Sequence, residues 1–200
     1  YNSTASVRED VYTISGENIP AIKPEAYVSN IKNYWTTVRY ELTSVKLPNE
    51  PFKMYAQTWQ DVAKTLNEDD DFGKQLSKTA YFKKDLQALQ QQFQDQNQLL
   101  GAIYSFVKQK MYWDRSGSIY CDDGVEKAYE RGSCNATEIN LILTAMLREA
   151  GFEADPVAVS TRSHGIPVFP TLEGFNYTLS RVKLAQGSLL LDATEKYGVP

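Results

Sequence analysis

Between Gly132 and Gly151 the chain reads GSCNATEINLILTAMLREAG, and its apolar residues fall on almost every side of a helix. Ile139, Leu141, Ile142, Leu143, Ala145, Met146, Leu147 and Ala150 leave only a thin polar stripe, the pattern of a helix buried over most of its surface. Ser133 or Asn135 can cap its start, Glu138 stands three residues after Asn135 as in a capping box, and Arg148 followed by Gly151 marks its end. A helix over Asn135 to Ala150 is expected. After Gly151 the period changes from 3.6 to two: EADPVAVST, NYTLSRVKL and SLLLDAT read as strands near residues 154–161, 176–184 and 188–194. The last two strands form a hairpin closed by AQGS, and the proline-rich and glycine-rich SHGIPVFPTLEG is a loop. A buried helix laid across an antiparallel sheet makes the fold class α+β.

Upstream the signal is more varied. VREDVYTISG and AYVSNIKNYWTTVRYELTSVKL mix β-branched and aromatic residues with polar ones, with NIPAIKPEA as the connection between them. These stretches predict strands over residues 1 to about 48, too few for a complete sheet and therefore the last strands of an N-terminal β-domain. LPNEPF reads as a linker, and Thr58 with Asp61 opens a helix in WQDVAKTLNE. Two helices with glutamine-rich wet faces are expected over residues 82–111, a loop over WDRSGSIYCDDG and a short helix in VEKAYER. The division is 1–50 for the β-domain strands and 51–200 for the second domain. No internal repeat is present.

Composition narrows the function. A formal net charge of -4 argues against a nucleic-acid partner, and no apolar run reaches the roughly eighteen residues of a membrane span. The chain opens without an initiator methionine and closes on YGVP, which reads as a piece of a longer protein. Cys121 and Cys134 flank the short helix, which holds them apart, so no bridge is expected between them. The acidic triplet Asp69, Asp70 and Asp71 lacks the spacing of a calcium loop, and one histidine with two cysteines makes no ligand set. Neither metal nor cofactor is expected.

Cys134 carries the candidate chemistry. At the mouth of the buried helix, free N–H groups and the helix dipole would favour a thiolate; the alternative is a small buried apolar residue. GSCNATEINLILTAMLREAGFEADPVAVSTRSHG, FNYTLSRVKL and LLLDAT together resemble the transglutaminase-like superfamily, in particular large bacterial exported proteins whose core follows a β-domain of unknown function. The resemblance covers residues 50–200 and implies a papain-like fold with a Cys nucleophile, a His base and an orienting Asp. It places Cys134 at the nucleophile and Asp192 at the acid, while Tyr177 occupies the position of the histidine. A phenol titrating near 10 is a poor acceptor for a thiol proton at neutral pH, and loss of a general base removes roughly a hundredfold to ten-thousandfold in rate. The one histidine, His164, lies in the loop between the first two strands and is a candidate relocated base if that loop folds back over the helix end.

Two readings follow. One is a catalytically degenerate module with a binding or structural role in a larger exported protein, recognising peptide, protein or glycan outside the cytoplasm. The other is a cysteine acyl-transfer enzyme, a transglutaminase or an amidase or peptidase, forming a thioester on Cys134. The resemblance implies a periplasmic or cell-surface location.

Overall fold

The structure is a computed structural model that describes residues 10–198 apart from 24, 39, 56 and 57. Its helices are α1 (Trp59–Glu68), α2 (Lys83–Gln92), α3 (Gln96–Lys110), α4 (Val125–Arg131) and α5 (Ala136–Glu149). Its strands are β1 (Ser44–Val45), β2 (Lys53–Met54), β3 (Tyr112–Trp113), β4 (Ser133–Cys134), β5 (Ala154–Val159), β6 (Tyr177–Leu184) and β7 (Gly187–Leu191). The architecture is α+β: α5 lies across the antiparallel sheet β5-β6-β7, and α3 and α4 pack on α5 from the helical layer.

Local sequence accounts for the helix ends. Asn135 caps α5 by accepting from the Glu138 N–H, and Glu138 reaches back to the Asn135 N–H, closing the capping box. Thr58 and Asp61 do the same for α1. Twelve of the fourteen residues of α5 are buried, from Ala136 to Leu147. That includes the polar stripe, which faces the sheet rather than water. The Thr137 and Thr178 hydroxyls lie 2.9 Å apart, Asn140 Nδ2 donates to the Thr178 carbonyl at 2.9 Å, and the Thr144 and Ser180 hydroxyls lie 2.9 Å apart. Three residues spaced by one helical turn thereby tie α5 to β6 along its length.

The sheet registers follow the apolar pattern. Val182 of β6 pairs with Ala154 of β5 and Leu189 of β7, and Val182, Ala154 and Leu191 are among the most buried side chains of the sheet. A second, two-stranded pairing is parallel: Tyr112 aligns with Ser133 and Trp113 with Cys134. It fixes the residue before the α5 cap against the exit of α3.

The amino-terminal part differs from the regular strands expected over residues 1–48. Residues 1–9 lie outside the described residues, so the start of the VREDVYTISG strand does too. From residue 10 to Tyr55 the ladder consists of β1 paired with β2, and Ile31–Tyr34 is a 3-10 turn. Trp35, Tyr40 and Leu42, within the second of the stretches expected as strands, are 49%, 73% and 60% exposed. Strand-forming residues extend into a ladder only where a neighbouring strand supplies the hydrogen-bond partners, and among the described residues this stretch has just one such neighbour. The hydrophobic core begins at Val62.

Candidate functional site

The site is assembled by three elements. The β4-α5 junction holds Cys134, the start of β6 holds Tyr177, and the end of β7 leads into Asp192. Tyr177 and Asp192 meet directly: the phenol donates to the carboxylate, 2.9 Å from Oδ2 and 3.2 Å from Oδ1, and touches the Thr194 hydroxyl. Asp192 Oδ1 also accepts from Asn140 Nδ2 at 3.1 Å, from the Thr194 N–H at 3.0 Å and from the Thr194 hydroxyl at 2.7 Å. Asn140 Oδ1 in turn accepts from the Ala193 N–H at 2.9 Å. The carboxylate is thus held from both sides, by the phenol on one and by Asn140 and Thr194 on the other. Burial raises the Tyr177 hydroxyl above the ordinary tyrosine range, so at neutral pH it is a neutral donor.

Cys134 is fully enclosed, with 0% of its surface exposed. Its thiol is pushed up to about 12, first by burial and then by the negative charges of Glu138 and Asp114, against which Arg131 acts in the other direction. The expectation of a thiolate stabilised by the helix N-terminus is therefore corrected. Asn135 is the cap, as expected, and the buried Glu138 beside it accepts the N–H groups of Asp123, Gly124 and Asn135 and adds its own negative charge near the sulfur. Desolvation then outweighs the residual dipole. Both cysteines are free thiols. Trp113 stands between the two halves of the site: its backbone pairs with Cys134, and its ring meets Tyr177 edge-on with centroids 6.0 Å apart.

His164 belongs to different surroundings. Its Nε2 is 2.8 Å from the Glu173 carbonyl, which fixes that nitrogen as the donor. The loop packs toward the 3-10 turn at Ile31–Tyr34 rather than over the start of α5: Asn30 Nδ2 donates to the carbonyls of Arg162 and Ser163, and the Ile166 N–H donates to Asn33 Oδ1. The cleft beside it, about 380 Å³, is lined by Tyr40, Glu41, Phe169 and Glu173 among others, and by none of Cys134, Tyr177 and Asp192. The structure brings Tyr177 and Asp192 together and leaves His164 elsewhere.

Sequence reasoning missed Asn140, Thr194 and Trp113 as parts of this site. Asn140 had a signal, since an amide inside an otherwise apolar helix must find partners. Trp113 had none, because its place depends on the parallel β3-β4 pairing. Among the described residues no cluster of side chains could hold a metal ion, and no helix is long and apolar enough to cross a membrane.

No protein-family model matches the sequence, and no curated protein matches it either. The chain is similar in structure to a protein from Parabacteroides distasonis described as a putative protease, with a TM-score of 0.53 and 13% identity over 78% of this chain. The match spans 31% of that protein's chain, so it concerns one part of a longer molecule. At this identity the likeness is one of fold: an α+β arrangement consistent with a papain-like core.

Proposed function

We propose that residues 51–200 are a transglutaminase-like core without turnover, acting as a binding or structural module in a larger exported protein at the periplasm or cell surface. The observation that carries this reading is the Tyr177–Asp192 hydrogen bond, which takes up the orienting carboxylate with a phenol that cannot accept a thiol proton at neutral pH. The enclosure of Cys134 supports it, since a nucleophile must reach its acyl carbon and this thiol is covered and protonated. A core of this fold keeps a rigid surface for peptide, protein or glycan even when the chemistry is absent.

The test is turnover on glutamine donors and on peptides at neutral pH, for the wild type and for Tyr177→His. The wild type should show none. The variant places an imidazole beside Asp192, where the carboxylate can fix its tautomer, and should raise the reactivity of Cys134 at pH 6–7. Wild-type turnover that disappears on His164→Ala would overturn the reading and make His164 the base of a cysteine acyl-transfer enzyme.

A further inference from the structure

A cleft of about 900 Å³ opens beside the Tyr177–Asp192 pair, between the second half of α3, β3 and residues 193–198. It shares Trp113 and Thr194 with that pair. Its charged side chains are Lys108, Arg115 and Lys196 against a single acid, Glu195, a local excess of positive charge on a chain whose formal net charge is -4. Glu195 is already engaged, its Oε1 accepting from the Tyr197 N–H at 3.1 Å. Asp192 and Asp114 flank the lining without belonging to it; they keep their charge but are turned to donors of their own, Tyr177, Asn140 and Thr194 in the first case and the N–H and hydroxyl of Ser116 in the second.

The cations are placed rather than scattered. Lys108 lies over the Tyr104 ring at 4.9 Å and donates to the Gly198 carbonyl, which leaves two further N–H donors, and its position in the last turn of α3 offsets the partial negative charge of that helix end. Lys196 lies 5.5 Å from the Tyr197 ring centroid. Arg115 is presented by a turn in which it adopts φ +69°, a left-handed backbone that glycine or asparagine would take with less strain. Beside these heads Tyr112 and Tyr197 are 66% and 82% exposed, so aromatic surface stands next to the cations.

We propose that this cleft binds an acidic peptide segment, carboxylates against Lys108, Arg115 and Lys196 and apolar side chains on Tyr112 and Tyr197. The inference rests on the reading of the chain as a binding module and names its ligand. A neutral glycan would leave the charges of Lys108, Arg115 and Lys196 unused, whereas carboxylates pair with them.

The experiment is fluorescence anisotropy of a labelled Glu-Ala repeat peptide with the whole chain, against Gln-Ala and Lys-Ala repeats and polygalacturonate, each mixture then read by mass spectrometry. The Glu-Ala peptide should bind in preference to all three, weaken as salt is raised, and lose about tenfold in affinity in the double variant Arg115→Glu, Lys196→Glu. Circular dichroism checks that the double variant keeps its fold, and Tyr112→Ala alone, which changes no charge, should also weaken binding. Equal binding of the Gln-Ala peptide, tighter binding of polygalacturonate, or unchanged affinity in a folded double variant would overturn the inference. A bound peptide that emerges cleaved leaves the cleft's preference standing and sinks the claim of a silent core. An unbound, uncleaved peptide does the reverse.

Discussion

Cys134 was legible as a position and not as a chemical state. Its place before a capped helix is written in GSCNATE, but whether a thiol there ionises depends on what covers it, and the cover comes from β3 and from Glu138 folded back to its own cap. The consequence can be measured as stability. The thiol stays protonated in the folded chain up to about 12, against an ordinary value of 9.0, so only the unfolded chain loses the proton between those values. Unfolding then releases a proton, and stability that is complete below pH 9 falls as pH rises toward 12. Between pH 8 and 10.5 this one group should cost about 2 kcal/mol, at roughly 1.4 kcal/mol per unit above its unfolded value. Cys134→Ala removes the group, so the drop in urea unfolding free energy between those two pH values should be smaller in the variant by about that amount. An identical drop in both proteins would mean that the thiol is not buried as described.

At the scale of elements, α5 and the three-stranded sheet were readable because their signals are local: caps at Asn135 and Gly151, and a change of period after Gly151. The pairing of β3 with β4 was not readable, since each strand is two residues long and its partner lies some twenty residues away. The polar stripe was visible, but its direction was not, because a threonine or asparagine on a helix gives no sign of whether a strand or water satisfies it. Two substitutions separate what packing and polar ties contribute. Leu143→Ala, at a side chain with 0% exposure, should cost about 2–5 kcal/mol of unfolding free energy. Asn140→Leu should cost about 2–4 kcal/mol despite its greater apolarity, because the Ala193 N–H and the Asp192 carboxylate both lose a partner. Chemical denaturation reads both, and a neutral Asn140→Leu would show that the stripe carries no part of the α5–sheet contact.

For the whole molecule, the core runs from Val62 to Ala193, and among the described residues the segment before α1 makes polar contacts with the 161–166 loop, from Asn30 and Asn33. The boundary expected at residue 50 is therefore proposed as a boundary of stability as well. A chain starting near Thr58 should unfold in one cooperative transition, within about 1–2 kcal/mol of the full chain, the scale of losing two or three exposed hydrogen bonds. Loss of cooperativity would show that the amino-terminal segment belongs to the core. The strands expected there illustrate a limit of sequence reading: β-branched and aromatic residues announce that a stretch can pair, but only a neighbour decides whether it does.

The central claim, a transglutaminase-like core whose nucleophile position is covered and whose base position is filled by a phenol, is tested most directly by the native reactivity of Cys134. The folded chain would be treated with iodoacetamide between pH 5 and 9 and the alkylated cysteine identified by mass spectrometry, with the urea-unfolded chain as reference. The account predicts that Cys134 in the folded chain reacts far more slowly than in the unfolded one throughout this range and shows no plateau below pH 9, because its thiol titrates only near 12. Rapid alkylation of folded Cys134 with a midpoint near pH 6–7, abolished by His164→Ala, would contradict it.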